Sequence, residues 1–151
     1  ESNPVGTSLV HLIGVASRHA LTESGQDLDA IMSTMEGEPT YQYFPAGKGF
    51  TGYEKTRRLY RHFIDEVQPR IVSYNVISES VGPQGAVQEY DIQIRLIGET
   101  EPSWHRIMAI LVFGEQGLTG ERMYSGEALF RTLTGPLWDE MEMISLDGPR
   151  T

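Results

Sequence analysis

Cysteine is absent from the chain, which excludes disulfide bonds, thiolate catalysis and cysteine-ligated metal sites. A long apolar stretch is absent too, since no run approaches the roughly 18 residues of a membrane-spanning helix. The opening residues, ESNPVGTSLV, lack the basic and apolar regions of a signal peptide. These absences predict a protein of the cytoplasm that has no membrane partner.

Basic residues are scarce, because 12 Lys and Arg stand against 21 Asp and Glu and the net charge is −9. A nucleic-acid partner is therefore not expected, since phosphate backbones are bound by clustered basic side chains. The one local cluster, Lys55, Arg57, Arg58 and Arg61, is typical of a solvated helix face.

Metal-ligand patterns are lacking as well. His11 and His19 fall in the first predicted helix without a carboxylate pattern beside them, and His62 falls on the polar side of a later helix. A zinc site needs three or four converging ligands. We therefore predict no metal ion and no cofactor.

The length of 151 residues fits one domain over 1–151, with a core at about 8–135 and a C-terminal tail at 136–151. A chain of this length buries roughly 68–70% of its unfolded surface. Its core is therefore large enough to enclose a cavity.

The N-terminal third is predicted to be mainly helical. Apolar residues recur at helical spacing in Ser8–Ala20, and Asp27 is placed to cap a second, short helix. A strand, Thr40–Phe44, precedes a glycine-containing loop. Thr51 and Glu54 have the spacing of a capping box, which predicts that a third helix begins there.

Residues 71 to 124 are predicted to form a meander of antiparallel strands, because polar and apolar residues alternate between turn sequences. No helix fits between successive strands after residue 70, which argues against a parallel, doubly wound sheet. Helices grouped before a meander predict an α+β protein with its helices on one face of a curved sheet. The predicted strands are Ile71–Glu79, Ala86–Ile97, Trp104–Phe113 and Leu118–Tyr124, with helical turns at Ala128–Leu133.

Four segments together resemble the nuclear transport factor 2-like superfamily, and within it the SnoaL-like family of polyketide cyclases and ketosteroid isomerases. They are SGQDLDAIMSTM, TYQYFPAGKGFTGYEKTRRLY, the pair AVQEYDIQIRLIG and WHRIMAILVFGEQGLTGERMY, and SGEALFRTLTG, covering residues 8 to 135. The resemblance implies a cone-shaped fold. In it, N-terminal helices pack on a strongly curved mixed, mostly antiparallel sheet that encloses one apolar pocket.

The chain departs from the catalytic patterns of that superfamily. Limonene-epoxide hydrolases need two aspartates bridged by an arginine, and the corresponding positions here are Ile92, Met123 and Tyr90. The inward aspartate of the cyclases and isomerases corresponds to Met123, with Glu121 one pleat away. Scytalone dehydratases use two histidines, and only His105 is a candidate of that type. The resemblance therefore predicts the fold better than the activity.

Strand parity predicts which side chains face the pocket, because alternate residues point to opposite faces. The candidate catalytic residues are Glu121, His105, Tyr41 and Tyr43. Each has a simpler alternative: Glu121 as an exposed strand-end charge, His105 as a hydrogen-bonded strand-end histidine, and the tyrosines as packing. The predicted substrate-binding residues are Ile31, Met35, Tyr60, Ile64, Tyr90, Ile92, Ile107 and Met123.

These residues suggest a cofactor-free lyase, isomerase or cyclase that acts on a small hydrophobic carbonyl or polyketide-like compound. Glu121 would be the base, with or without His105, and Tyr41 or Tyr43 would donate a hydrogen bond to the enolate oxygen. The alternatives are a non-catalytic module that binds a small hydrophobic ligand and a structural protein that dimerises.

The outer side of the predicted strand 104–113 carries Trp104, Met108, Ile110 and Val112. The inner side of the same strand is apolar too, and the chain's own helices can cover only one side. An exposed apolar face of this size is poorly tolerated by a monomer. We therefore expect a homodimer through the outer sheet face.

Overall fold

The computed structural model describes residues 4–23 and 25–146. Its α+β architecture confirms the predicted fold class. The helices are α1 (Pro4–Glu23), α2 (Leu28–Met32), α3 (Tyr53–His62), α4 (Glu127–Thr134) and α5 (Leu137–Glu140), and α3 continues through a π-helical turn (Phe63–Val67) and a 3₁₀ turn (Gln68–Arg70). The strands are β1 (Met35–Phe44), β2 (Lys48–Thr51), β3 (Ile71–Gly82), β4 (Gly85–Ile94), β5 (Ser103–Phe113), β6 (Leu118–Tyr124) and β7 (Glu142–Met143).

The strands form one mixed sheet in the order β3-β4-β5-β6-β1-β2-β7. Neighbouring strands are antiparallel except β1 and β6, which are parallel. The sheet is curled, as predicted. The parallel pair joins the N-terminal hairpin to the meander, and it therefore places residues from distant parts of the sequence side by side.

The main core lies between the concave face of the sheet and helices α2 to α5. Inward residues of β4 and β5, such as Ile92, Ile94 and Ile107, are almost fully buried there. A smaller cluster lies beneath α1, where Val15 and Ala16 pack with Leu111. The buried residues are therefore those that strand alternation and the helical spacing of α1 place on the inner faces.

The predicted capping box is wrong. Thr51 belongs to β2, and its hydroxyl lies 2.8 Å from the Thr40 hydroxyl on β1. Helix α3 is instead preceded by Gly52, whose φ of 143° is a backbone conformation that favours glycine. A carboxylate from β1 caps the helix, since Oε2 of Glu38 accepts a hydrogen bond from the backbone N–H of Tyr53 at 2.6 Å.

Two segments are more ordered than their sequences predict. β1 begins at Met35 instead of Thr40, and the segment expected to be a glycine loop contains β2. The core also extends past residue 135, because Leu137, Trp138 and Met141 are buried in the main cluster. These short elements carry little periodic signal, and their partners across the sheet and core determine their structure.

The outer face of β5 is apolar, as predicted. Trp104 is 54% exposed and Met108 is 41% exposed, whereas Ile110 and Val112 are half-buried. No helix in the described ranges is both long and apolar enough to cross a membrane.

Candidate functional site

A cavity of about 480 Å³ opens between the concave face of the sheet and helices α1 and α3. Its wall is mainly apolar and aromatic, and it includes five tyrosines: Tyr41, Tyr43, Tyr60, Tyr74 and Tyr90. Two carboxylates, Glu23 and Glu121, also line it. Among the described residues, no lysine, arginine or histidine does so. Its volume is in the range of small-molecule sites.

The parallel pairing of β1 with β6 sets the floor of the cavity. Tyr41 stands beside Glu121 in this register, and Tyr43 stands beside Met123. Since paired residues point to the same face of a sheet, all four side chains face the concave side. All four are buried and line the cavity.

Glu121 is held by a hydrogen-bonded network. The Tyr60 hydroxyl donates to Oε1 of Glu121 at 3.2 Å, and it lies 2.7 Å from the Tyr41 hydroxyl. Nε2 of His19 lies 3.5 Å from the same carboxylate oxygen and 3.1 Å from the Tyr60 hydroxyl. The carboxylate that sequence parity singled out therefore has an imidazole and a phenol as its partners.

His19 reaches this network because it continues the buried stripe of α1, at helical spacing from Leu12, Val15 and Ala16. Its Nδ1 lies 2.6 Å from the Thr34 hydroxyl. That hydroxyl donates its own hydrogen to the carbonyl of Ile31 at 2.7 Å, so Nδ1 must carry a proton and donate it to Thr34. Nε2 is therefore the nitrogen that gains or loses a proton.

Nε2 faces two carboxylates. It lies 2.8 Å from Oε1 of Glu23, one turn along α1, and 3.5 Å from Oε1 of Glu121. Burial lowers the pKa of His19, but Glu23 and Glu121 outweigh burial and raise this pKa to about 10. His19 is consequently an imidazolium at neutral pH.

Burial raises the pKa of Glu121, and the charge of Glu23 adds to that effect, whereas the hydrogen bond from His19 opposes it. A carboxyl group with a raised pKa and a neighbouring imidazolium is suited to accept a proton near neutral pH. Burial also raises the pKa of Tyr41, Tyr43 and Tyr60 well above its usual value. These hydroxyls therefore remain protonated and can donate hydrogen bonds.

One group in the described part of the chain could hold a metal ion: His19, Glu23 and Glu121, whose donor atoms lie within 4.8 Å of one another. The short contact between Nε2 and Glu23 is also the geometry of a shared proton. A proton at that nitrogen supplies one positive charge between the two carboxylates and balances one of them.

The structure brings most, though not all, of the predicted site residues to the cavity. Glu121, Tyr41, Tyr43, Tyr60, Tyr90, Ile92, Ile107 and Met123 line it. His105 does not. Its Nε2 instead lies 2.7 Å from the Ser103 hydroxyl at the start of β5.

Three predicted substrate-binding residues lie in the core and not on the cavity wall. Ile31 is fully buried, and Ile64 is partly buried against the main cluster. Met35 lies behind Tyr41, whose hydroxyl is 3.9 Å from its sulfur. These three residues thus pack in the core around the cavity without lining it.

His19 and Glu23 were missed from the sequence. The expectation that histidines of the first helix lack a carboxylate pattern is wrong for His19, because Glu23 follows it at the i,i+4 spacing that places two side chains together. The sequence signal that could have identified them is the His19–Glu23 pair on the apolar stripe of α1. The stripe alone does not say which part of the sheet it meets.

No protein-family model matches the chain, and no curated protein matches its sequence. Solved structures do match its fold. A protein of ketosteroid isomerase-like fold from Catenulispora acidiphila, solved in complex with trimethylamine, is 14% identical with a TM-score of 0.59, and the match covers 90% of this chain and 97% of that one. A proposed isomerase from Rhodopseudomonas palustris is 17% identical with a TM-score of 0.62, covering 80% and 96%.

A nuclear transport factor 2-like protein of unknown function from Cytophaga hutchinsonii is 12% identical with a TM-score of 0.61, and the match covers 75% of this chain and 97% of that one. At these identities the likeness concerns the fold and not the activity. The chain has the nuclear transport factor 2-like fold that its four segments predicted.

Proposed function

We propose that this protein is a cofactor-free enzyme, a lyase, isomerase or cyclase that uses acid/base chemistry on a small hydrophobic carbonyl or polyketide-like compound. The observation that carries the proposal is a buried carboxylate on a cavity wall, Glu121, with Tyr60 at 3.2 Å and the His19 imidazole at 3.5 Å. Environments of this kind adjust a carboxyl group to accept protons near neutral pH.

Glu121 acts as the general base. Its carboxylate takes a proton from the carbon next to the substrate carbonyl, and the C–H electron pair becomes the carbon–carbon double bond of an enolate. The carbonyl π electrons move to the oxygen, which becomes the oxyanion. In an isomerase the oxyanion electrons re-form the carbonyl, and the enolate electrons take the proton from Glu121 at another carbon. In a lyase the carbonyl re-forms likewise, the enolate electrons expel the leaving group as its bond to carbon breaks, and Glu121 gives its proton to that group.

Tyr43 is the donor to that oxyanion. Its hydroxyl lies on the cavity wall, and no hydrogen bond joins it to another residue in the described part of the chain. The Tyr41 hydroxyl is instead bonded to the Tyr60 hydroxyl, which donates to Glu121. A donor already present in a buried site stabilises developing negative charge without reorganisation of solvent.

His19 is a positioning residue. Its imidazolium offsets the cost of burying an ionised Glu121 and keeps that carboxylate available as a base. Thr34 fixes the ring by accepting the Nδ1 proton. The mechanism therefore needs no histidine in contact with the substrate.

Comparison with other proteins supports the proposal at the level of fold, because the matched structures include a proposed isomerase. The second candidate is a module that binds a small molecule without reaction. The trimethylamine in the Catenulispora protein favours it, since a compact amine occupies a protein of the same fold. Binding and catalysis differ in whether Glu121 exchanges a proton with the bound molecule.

Proton exchange with solvent tests the proposal directly. A panel of small ketones and β-dicarbonyl compounds is incubated with the protein in deuterated water, and deuterium incorporation next to the carbonyl is followed by NMR. We expect incorporation to fall by about 10²-fold or more in Glu121→Gln, as for loss of a general base. The matched control is Glu115→Gln, which removes an exposed carboxylate outside the cavity. Incorporation that persists in Glu121→Gln would exclude Glu121 as the base.

A further inference from the structure

We infer that the molecule bound in this cavity carries a compact ammonium group, held between the Glu23 carboxylate and the rings of Tyr74 and Tyr90. The inference takes the site from the proposed function and names the chemical class of its ligand. It rests on the charge of the wall, on the aromatic rings in that wall, and on Glu23, a carboxylate of the wall that pairs with His19 but takes no part in the proposed proton transfer.

The wall of the cavity is negatively charged. Glu23 and Glu121 line it, and no cationic side chain of the described residues does. The His19 imidazolium lies behind the wall and balances one of the two carboxylates when both are ionised. An anionic ligand would therefore find no partner of opposite charge, whereas a cation would balance the remaining carboxylate. The net charge of −9 attracts cations from a distance as well.

The tyrosine rings of the wall are set at large angles to one another. The Tyr74 and Tyr90 rings are 4.9 Å apart between centroids and tilted by 49°. Deeper in the cavity, Tyr41 and Tyr60 are 6.1 Å apart and nearly perpendicular, at 76°. The two rings of each pair contact each other, so an ammonium group would lie against the ring faces and not between the partners. All four tyrosines line the cavity, and a tyrosine face attracts ammonium ions.

Glu23 connects these two features. Its side chain is 34% exposed, lines the cavity, and is not the proposed base. After burial, the charge of Glu23 is the largest influence that raises the pKa of Tyr74, and it acts with Glu121 to raise the pKa of Tyr90. The field that disfavours a negative phenolate at these rings favours a positive group beside them.

A neutral apolar ligand would also suit tyrosine rings, but it would leave the second carboxylate unbalanced. An ammonium group at Glu23 leaves Glu121 and Tyr43 free for the carbon acid and its carbonyl. The substrate class is thus a small carbonyl compound that also bears an amine cation.

Calorimetric titration with two probes of nearly identical shape tests the inference. One probe is choline. The other is its uncharged isostere, in which a tert-butyl group replaces the trimethylammonium group. We expect choline to bind about 10-fold more tightly at low ionic strength, and the difference to shrink as salt is added. A chelator is present throughout, so that metal ions do not compete at His19, Glu23 and Glu121.

Single substitutions test which residues cause the preference for choline. Glu23→Gln should bring the two affinities within about 2-fold of each other, since the countercharge is lost. Tyr74→Leu should weaken choline and leave the isostere nearly unchanged. Tyr74 is 52% exposed on an edge strand, so this variant is expected to fold even if Glu23→Gln does not. The control Glu115→Gln should keep the wild-type preference.

Equal or weaker binding of choline in the wild-type protein would overturn the inference. That result would leave the proposed function intact if Glu121-dependent deuterium incorporation is still observed. A choline preference without any deuterium incorporation would support the ligand class and contradict the role of Glu121 as a base.

Discussion

Nε2 of His19 and Oε1 of Glu121 lie 3.5 Å apart, although one residue stands in the first helix and the other in the last strand of the meander. The Tyr60 hydroxyl joins them, at 3.1 Å from the imidazole and 3.2 Å from the carboxylate. Both charged groups are buried. Glu121 therefore depends on His19, since removal of the imidazolium leaves a buried carboxylate unpaired, whereas His19 also has Glu23 as a partner.

The pH dependence of stability should report on His19. Its pKa is about 10 in the folded protein and 6.5 ordinarily, so between these values the folded state holds a proton that the unfolded state has lost. The free energy of unfolding should therefore fall as pH rises through this window, by up to about 1.4 kcal/mol per pH unit. Chemical denaturation at a series of pH values measures the slope.

His19→Gln should flatten that slope while lowering stability near neutral pH. The matched control is His11→Gln, which removes an exposed histidine from the same helix and should keep the wild-type slope. Equal slopes in the wild-type protein and in His19→Gln would show that Glu23 and Glu121 do not raise the pKa of His19.

Thr34 should act through His19. Thr34→Val keeps the shape of the side chain but leaves the Nδ1 proton of His19 without an acceptor, at a cost of about 1–3 kcal/mol. The pKa of His19, followed by NMR of the imidazole, should fall because the imidazolium loses a hydrogen bond. Thr34→Ser retains the hydroxyl and should restore both quantities. A His19 pKa that is unchanged in Thr34→Val would limit Thr34 to packing.

Tyr43→Phe should separate catalysis from stability. The hydroxyl has no hydrogen-bond partner in the described part of the chain, so its removal should change the free energy of unfolding by less than about 0.5 kcal/mol. The rate of deuterium incorporation should fall by about 10²-fold, as for loss of an oxyanion donor. Tyr124→Phe removes a hydroxyl from an exposed tyrosine outside the cavity and should retain the wild-type rate. Similar losses in both variants would contradict a specific role for Tyr43.

A homodimer through the outer sheet face remains a prediction. Burying Trp104 and Met108 against a partner would contribute roughly 1.5–3 kcal/mol for each side chain. Met108→Lys should therefore shift the protein toward monomer, because it places an unpaired charge in the contact. Met108 is 41% exposed, which lets an isolated chain tolerate lysine better there than at half-buried Ile110.

Light scattering over a concentration series decides this prediction. Ile97→Lys is the control, since Ile97 is 53% exposed and lies in the loop after β4. A wild-type mass equal to one chain at high concentration would rule out the dimer.

Local rules predicted much of this molecule from its sequence. Side chains alternate along a strand, so the sequence alone assigned Tyr41 with Tyr43, and Glu121 with Met123, to common faces. Helical spacing and turn residues located the helices and the meander. The same rules missed β2 and the buried Trp138, because short elements owe their structure to distant partners and not to their own pattern.

Which residues make up the site could be found only from the tertiary structure. The sequence contains His19 and Glu23 at the spacing that brings them together, but only the docking of α1 against the sheet turns them toward Glu121. The parallel register that sets Tyr41 beside Glu121 likewise joins segments with no local relation. Periodicity determines which face a side chain occupies, since it follows from backbone geometry. Long-range packing decides which faces meet, and with that whether a histidine is a solvated surface group or the counter-ion of a buried carboxylate.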